Sequence, residues 1–557
     1  MTIPSSDPFA DTASFDPQSV WDLLVIGGGA TGLGVALQAA LEGRKVLLVE
    51  ARDFASGTSS RSTKLLHGGV RYLAQGRLRL VYEALRERST VLGLAPHLAQ
   101  PLSFVVPASS RWSWAWTVLG LKVYQWLSGR LSLGATVAIS RAALARCAAG
   151  LPLLSGRFVG GVRYWDGQFE DARLALALAK TAQRAGASVH NHTRVTALTC
   201  GPQSASPSQD TSPKTSPETN LITQTKPSEK AHWQVGLLDE RTGLTRTVQT
   251  ACVVNATGVW VDTLRRMALP QGAHSPELKA LVTPSQGVHI VVSRACLSIH
   301  EAVLIPNTSD GRVLFAVPWL GATVIGTTDT PRSDAPDEPL PMQAELDFLL
   351  TESRKSLGVT ITPADVRSVW VGLRPLVGGS DSGTTSQMSR EHLIQREAHA
   401  LYTVTGGKWT TYRVMAEEVM QAIQSHADLP PTPPGTGDTR QHLLVGAPSS
   451  HAPQHAISDA PGLHLWGTEA DQVLALPGAQ NHLGMGLTEA MVRFSARNEW
   501  VFTVEDMLAR RWRALFLDAR QAALMAPAVA GLLQEETGLD PKLDDFLTLC
   551  QRYTLTH

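Results

Sequence analysis

Apolar residues first cluster at Leu23 to Ile26, a run of the kind that forms a strand buried on both faces. Glycines follow at Gly27, Gly29 and Gly32, and a run with helical spacing, Val35 to Leu41, ends at Gly43. A second apolar run, Val46 to Val49, finishes at Glu50, so the segment predicts strand, turn, helix and strand. Helical spacing returns at Leu78–Leu94, stopped by Pro96, and at Asp171–Ala185, stopped by Gly186. Strands are predicted over Ser188–Leu198 and Trp233–Leu238. Another, Cys252–Val254, runs into Asn255, Ala256, Thr257 and Gly258. From Val288 to Asp329 short runs rich in Val and Ile alternate with turn residues, the pattern of a mostly antiparallel sheet. The last strand, near Leu401, turns at Gly406-Gly407 into a helix from about Thr411, and residues 455–557 show helical spacing nearly throughout. Together these predict an α/β protein with a Rossmann-like unit, a mostly antiparallel cap drawn mainly from about 95–165 and 275–385, and a C-terminal helical domain.

Four stretches break the pattern. Residues 201–230 are rich in Ser, Thr and Pro and poor in large apolar side chains, which predicts a disordered insertion between two strands. Residues 1–20 read as a mobile tail with neither a secretory nor a transit signal, and 427–454 read as a proline-rich linker. Residues 111–127 hold four of the fourteen tryptophans. They suit either a bilayer interface or a buried helix hairpin, and are too short to span a membrane.

Charge and cysteines narrow the class. The 557 residues carry 49 basic and 49 acidic side chains, so no global field recruits nucleic acid. Five scattered cysteines form no C-x-x-C pair, which suits a reducing compartment and argues against a disulfide frame or a metal site.

The glycine segment carries chemistry. Gly27 allows a tight turn, Gly29 lets backbone approach a pyrophosphate, and Gly32 lets helix pack on strand. The helix N-terminus attracts phosphate, and Glu50 stands where a carboxylate takes ribose hydroxyls, favouring FAD or NAD over NADP. The loop after Glu50 concentrates Arg61, Lys64, His67 and Arg71 around Gly68-Gly69, and is read as wrapping the cofactor and reaching the substrate.

The motifs VIGGGATGLG, TSSRSTKLLHGGVRYL, APHL, VVNATGVW, VPW…IGTTDT, GLRPL and TGGKWTTYR occur in that order over roughly residues 20–430. They closely resemble the FAD-dependent glycerol-3-phosphate dehydrogenase family. The resemblance implies FAD, oxidation of sn-glycerol 3-phosphate to dihydroxyacetone phosphate by hydride transfer from C2 to flavin N5, and a quinone acceptor. It also implies a cytoplasmic protein at the inner face of the membrane, contacting it through 111–127; a homodimer stays open. Arg71, Arg374 and Lys408 are the implied phosphate cations, with Tyr72 and His67 beside them and His289 in the substrate domain. Gly27, Gly29, Gly32, Glu50, Thr58, Ser59, Ser60, Lys64, Gly68, Thr257, Gly258, Gly406, Gly407 and Thr410 are the implied cofactor contacts. The Gly406-Gly407 turn, at a helix N-terminus, would offset negative charge on the reduced flavin. His67, His289 and Lys408 all qualify as proton acceptor, and a histidine is favoured.

Three other readings stand beside this one. An oxidase would give the electrons to oxygen. An amine oxidase of the D-amino acid or sarcosine type would need one arginine and an aromatic wall. A silent FAD scaffold would hold flavin that the substrate does not bleach.

Overall fold

The computed structural model describes residues 20–70, 73, 76–147, 158–201, 232–269, 278–378, 392–433, 436–448 and 455–555. The expected tail (1–20, apart from Val20), Arg71, Tyr72 and almost all of 201–230 lie outside the described residues.

Strand Val20–Ile26 sits inside an eight-stranded sheet, with Thr245–Asn255 parallel on one side and Val46–Val49 parallel on the other. Ser188–His190 and Leu401–Gly406 extend the parallel set outward. Alternation along the central strand divides its side chains between two cores. Leu23 and Val25 pack with Leu33, Leu178 and Val419, from the helices Ala30–Leu41, Asp171–Arg184 and Tyr412–Ser425. Leu24 and Ile26 meet Val235 and Leu237 in the antiparallel strands that cover the other face. Both faces of the central strands are covered by apolar side chains, which is why their sequence is a continuous apolar run.

In that covering meander, Thr193–Gly201 pairs with His232–Asp239, and Gly201 lies opposite His232. The chain therefore leaves one strand and enters the next at directly paired positions. Excising residues 203–229 should shift the melting temperature by less than about 2 °C and leave flavin content unchanged. A thermal melt with a flavin absorbance spectrum checks this.

A second sheet of ten strands is antiparallel throughout except where Ala302–Ile305 runs parallel to Ala99–Ala108. Toward one edge it pairs Val282–Ser293 with Val366–Val377. Period-two alternation sends Val288, Ile290, Val292, Val369 and Val371 into a separate core. His289, Trp370 and Arg374 take the opposite face. The register sets His289 across from Trp370, Gly287 across from Gly372, and Ser285 across from Arg374.

The C-terminal region supplies the helices Glu489–Asn498, Ala519–Thr537 and Leu543–Tyr553, with shorter helical turns between them. It also contains a small hairpin, His482–Gly484 with Leu487–Thr488, inside the stretch expected to be helical. Gly484 and Gly486, both at positive φ, turn the chain there. This region shares one hydrophobic core with the dinucleotide unit and is pinned to it by buried ion pairs. Arg173 meets Glu499 at 2.9 Å, Lys180 meets Glu469 at 2.6 Å, and Asp53 is bound by both Arg510 and Arg511.

The proline-rich stretch is not a free tether over its described length. Arg44 donates to the Pro430 carbonyl, Gln38 Nε2 donates to Gly437 O at 2.7 Å, and Leu429, Leu444 and Val445 are buried. Prolines lack N–H groups, yet their carbonyls still accept, so polar side chains around the first helix hold the strap down.

Residues Arg111–Ser128 form one helix capped by Ser110. Leu121 and Tyr124 are buried on one side. The other side presents Trp112 (73% exposed), Trp116 (57%), Leu119 (54%), Val123 (36%) and Trp126 (78%). The expectation of a buried helix hairpin gives way to a helix with one bare aromatic face. No helix among the described residues is long and apolar enough to cross a membrane.

Candidate active site

The C-terminal ends of Val20–Ile26, Thr245–Asn255 and Leu401–Gly406 open onto a cavity of about 490 Å³, whose far wall is the second sheet. Glycine geometry builds its near wall. A Cβ on Gly27 would stand 2.6 Å from Ala256 O, and one on Gly32 would stand 1.9 Å from Gly27 O. Both contacts are with backbone and cannot be relieved by a rotamer change, so the turn closes against the neighbouring strand only with glycine.

Glu50 is held ready by the chain itself. Its two carboxylate oxygens accept from Gly28 N at 2.7 Å and Arg52 N at 3.0 Å. Ser59 Oγ accepts from Ala30 N at 3.0 Å, tying the loop after Glu50 to the helix N-terminus. Opposite, Gly406 and Gly407 take φ of +78° and +70° and turn the chain into the helix Tyr412–Ser425. Trp409 follows and donates from Nε1 to Ser59 O at 2.7 Å. Two turns from distant parts of the chain are therefore stitched together at Ser59.

The far wall carries the reactive side chains. Arg374 crosses its own strand pair: its Nη1 donates to Thr328 O at 3.0 Å and its Nη2 to Thr327 Oγ1 at 2.9 Å, with Asp329 at 3.5 Å. A Cβ on Gly287 would lie 2.3 Å from Arg374 Nη2, so that glycine makes room for the guanidinium. His289 stacks on Trp370, ring centroids 4.1 Å apart, with Nε2 3.0 Å from Thr63 Oγ1. Its Nδ1 is buried and has no hydrogen-bond partner among the described residues. Burial, with the charges of Arg374 and Lys64, holds the His289 imidazole well below its ordinary range, so it stays neutral. His67 and Lys408 line the same cavity and are partly exposed.

The FAD-dependent oxidoreductase family pattern matches residues 22–422, and the pattern of the C-terminal domain of alpha-glycerophosphate oxidase matches residues 438–543. The mitochondrial glycerol-3-phosphate dehydrogenase of Homo sapiens is 35% identical over 549 residues, covering 94% of this chain and 71% of that protein. The chain belongs to the FAD-dependent glycerol-3-phosphate dehydrogenase family. The Schizosaccharomyces pombe mitochondrial enzyme is 34% identical, covering 95% and 86% of the two chains. Among solved structures, the Bacillus halodurans glycerol-3-phosphate dehydrogenase complexed with FAD superposes with a TM-score of 0.70 at 27% identity, covering 97% of this chain and 96% of that one.

A dehydrogenase of this family needs a pyrophosphate cradle, a ribose acid and a pocket beside them, and the donor set fits FAD. Of the cofactor contacts expected from sequence, Gly27, Gly29, Glu50, Thr58, Ser59, Thr257, Gly258, Gly406, Gly407 and Thr410 line the cavity. His67, His289, Arg374 and Lys408 line it too, whereas Arg71 and Tyr72 lie outside the described residues.

Four expected contacts stand behind the wall instead. Gly32 packs helix on turn. Ser60 is buried and faces away, its carbonyl taken by side chains from below. A Cβ on Gly68 would meet the Tyr124 hydroxyl at 2.5 Å, so that glycine serves packing. Lys64 is the clearest correction. Its φ of +65° turns the side chain inward, fully buried, to Asp171 Oδ2 and Ser60 O, both at 2.7 Å. Burial pushes its ammonium down to about 7, against the pull of Asp171.

Sequence reading missed Thr63 and Trp409 on the cavity wall, and Arg61, expected there only as one of the basic loop residues, lines it too. Arg61 forms a fork with Glu338, at 2.8 and 2.6 Å, and Tyr553 donates to the same carboxylate at 3.0 Å. Gly372 lets the backbone of Arg61 approach its strand: a Cβ there would meet Arg61 O at 2.7 Å, and an isolated glycine in a strand marks such a close approach.

Proposed function

We propose that this protein oxidises sn-glycerol 3-phosphate to dihydroxyacetone phosphate and delivers the electrons to a quinone held in a membrane. One observation carries the reading: His67, Arg374 and Lys408, from three separated stretches, border the same cavity as the dinucleotide turn. Bound FAD supplies the hydride acceptor. The protein's own groups do the rest. Arg374, its guanidinium fixed by Thr327 and Thr328, and Lys408 meet the substrate phosphate; a forked cation and a point charge together suit a dianion better than a carboxylate. His67 takes the proton of the C2 hydroxyl. His289 is the poorer acceptor, because one ring nitrogen is shut in and the other is engaged by Thr63. It instead walls the substrate side from water. The Gly406-Gly407 turn and the helix after it present N–H groups and a positive helix end, which lower the cost of negative charge placed beside them.

The quinone reading rests on the helix Arg111–Ser128. Trp112, Trp116, Leu119, Val123 and Trp126 line one exposed face, and Arg111 and Lys122 offer cations to lipid headgroups.

Anaerobic titration with sn-glycerol 3-phosphate tests the reaction: the flavin band at the visible end should bleach at one equivalent, and no bleaching would leave only a flavin-binding scaffold. Reoxidation then tests the acceptor. Vesicles carrying a ubiquinone analogue should reoxidise the enzyme much faster than air does, and equal rates would favour an oxidase. Changing Trp112, Trp116 and Trp126 together to serine should weaken vesicle binding at least about tenfold while bleaching is unchanged, as co-flotation and titration would measure.

A further inference from the structure

Thr58 and Ser59 face the cofactor cavity, and the carbonyl of the residue that follows them in the turn, Ser60, is held from outside it. Ser59 O accepts from Trp409. Ser60 O accepts from two basic side chains, Lys64 Nζ at 2.7 Å and Arg513 Nη2 at 2.6 Å. Arg513 belongs to the C-terminal region, 453 residues away in sequence. It is fully buried and sits at φ of +66°, immediately before the short helix Ala514–Leu517. Its Nη1 donates to Ala509 O at 2.8 Å, and its Nε lies 3.0 Å from Glu170 Oε1 as an ion pair without hydrogen-bond alignment. Asp171 Oδ1 is 3.4 Å from Nη2, and the guanidinium lies 4.0 Å from the Phe516 ring centre.

Lys64, Arg513, Glu170 and Asp171 thus make a buried set of two basic and two acidic side chains beneath the turn. Asp171 also accepts from Ser62 N and Ser62 Oγ, which fixes the chain on the far side of Lys64. Such a set is costly to assemble and rigid once complete, because each group is desolvated and held by several partners. Only a planar fork reaches Ser60, Ala509 and Glu170 from one position.

We propose that Arg513 is a positioning residue for the cofactor-binding turn, so that retention of FAD depends on the C-terminal helical region. The inference rests on the reading that FAD occupies the cavity beside Thr58 and Ser59; it does not depend on the identity of the substrate. Lysine at 513 keeps the charge and loses the fork. Arg513→Lys should release FAD at least tenfold faster than wild type, followed by flavin fluorescence, while KM for sn-glycerol 3-phosphate changes less than threefold. The control Arg493→Lys, at the surface ion pairs with Glu535 and Glu536, should release FAD at the wild-type rate. Release by Arg513→Lys within twofold of wild type would overturn the proposal.

Hydrogen exchange on the wild-type protein decides the matter independently if Arg513→Lys does not fold. Removing FAD should speed exchange in peptides covering 506–517 along with those covering 57–66. Loosening confined to 57–66 would overturn it. Flavin that stays bound yet is not bleached by sn-glycerol 3-phosphate would count against the proposed reaction and leave this inference standing.

Discussion

Replacing Arg374 by alanine should raise KM for sn-glycerol 3-phosphate by about 100-fold, some 2.7 kcal/mol of lost binding, and lower kcat by about tenfold. The first effect follows from removing a forked cation that is already aimed, since Thr327 and Thr328 hold it in place before any substrate arrives. The second follows because phosphate binding remote from the reacting carbon is what orients C2, and misplacement is expensive in rate. Arg374→Lys should recover part of KM and little of kcat, because a point charge on a flexible stem attracts the phosphate without fixing its angle. Steady-state kinetics separate the two terms. A variant with both parameters unchanged would remove Arg374 from the substrate site and the phosphate reading with it.

Gly32→Val should abolish flavin binding altogether. The added Cβ would need to stand 1.9 Å from Gly27 O and 3.3 Å from Ala256 Cβ, and the first of these neighbours is backbone of the turn that directly follows the central strand. Relief requires moving the helix Ala30–Leu41 away from the turn, which withdraws the N–H groups that meet the pyrophosphate. The expected product is colourless protein with a lowered melting temperature, or none in the soluble fraction. Gly93→Ala is the matched control. That glycine lies in the helix Leu78–Leu94 with open space where its Cβ would go, so alanine should leave flavin content intact and stability equal or slightly higher. The flavin-to-protein absorbance ratio after purification reads both.

How far the fold could be read from sequence depended on whether a signal was local. The unit from Val20 to Glu50 was legible because its parts are contiguous and each glycine has one geometric task. The antiparallel character of the second sheet was legible from its short runs of Val and Ile. Which face each side chain takes was not, since that follows from register. His289 faces the cavity because it lies opposite Trp370 in a strand pair whose partners are far apart in sequence.

Lys64 shows the limit most clearly. In the loop after Glu50 no periodicity distinguishes inward from outward, and a basic residue amid glycines reads as a ligand contact. A positive φ at Lys64 rotates it into the core, and its partner Asp171 is 107 residues away. The hairpin within 482–488 was hidden for a different reason: it is only seven residues long, and its two glycines sit inside a stretch whose spacing is otherwise helical. Within the site, Thr63 and Trp409 were missed because each acts on another residue, His289 and Ser59, and such roles leave no spacing signature.

The bond between Ser60 and Arg513 also sets an order of events during synthesis. A ribosome makes the nucleotide turn early and its clasp 453 residues later, a delay of roughly 20 to 90 s at 5–20 residues per second. Through that interval the nascent protein exposes a half-built dinucleotide site, and durable capture of the vitamin-derived group must wait until the segment around Arg513 has been made.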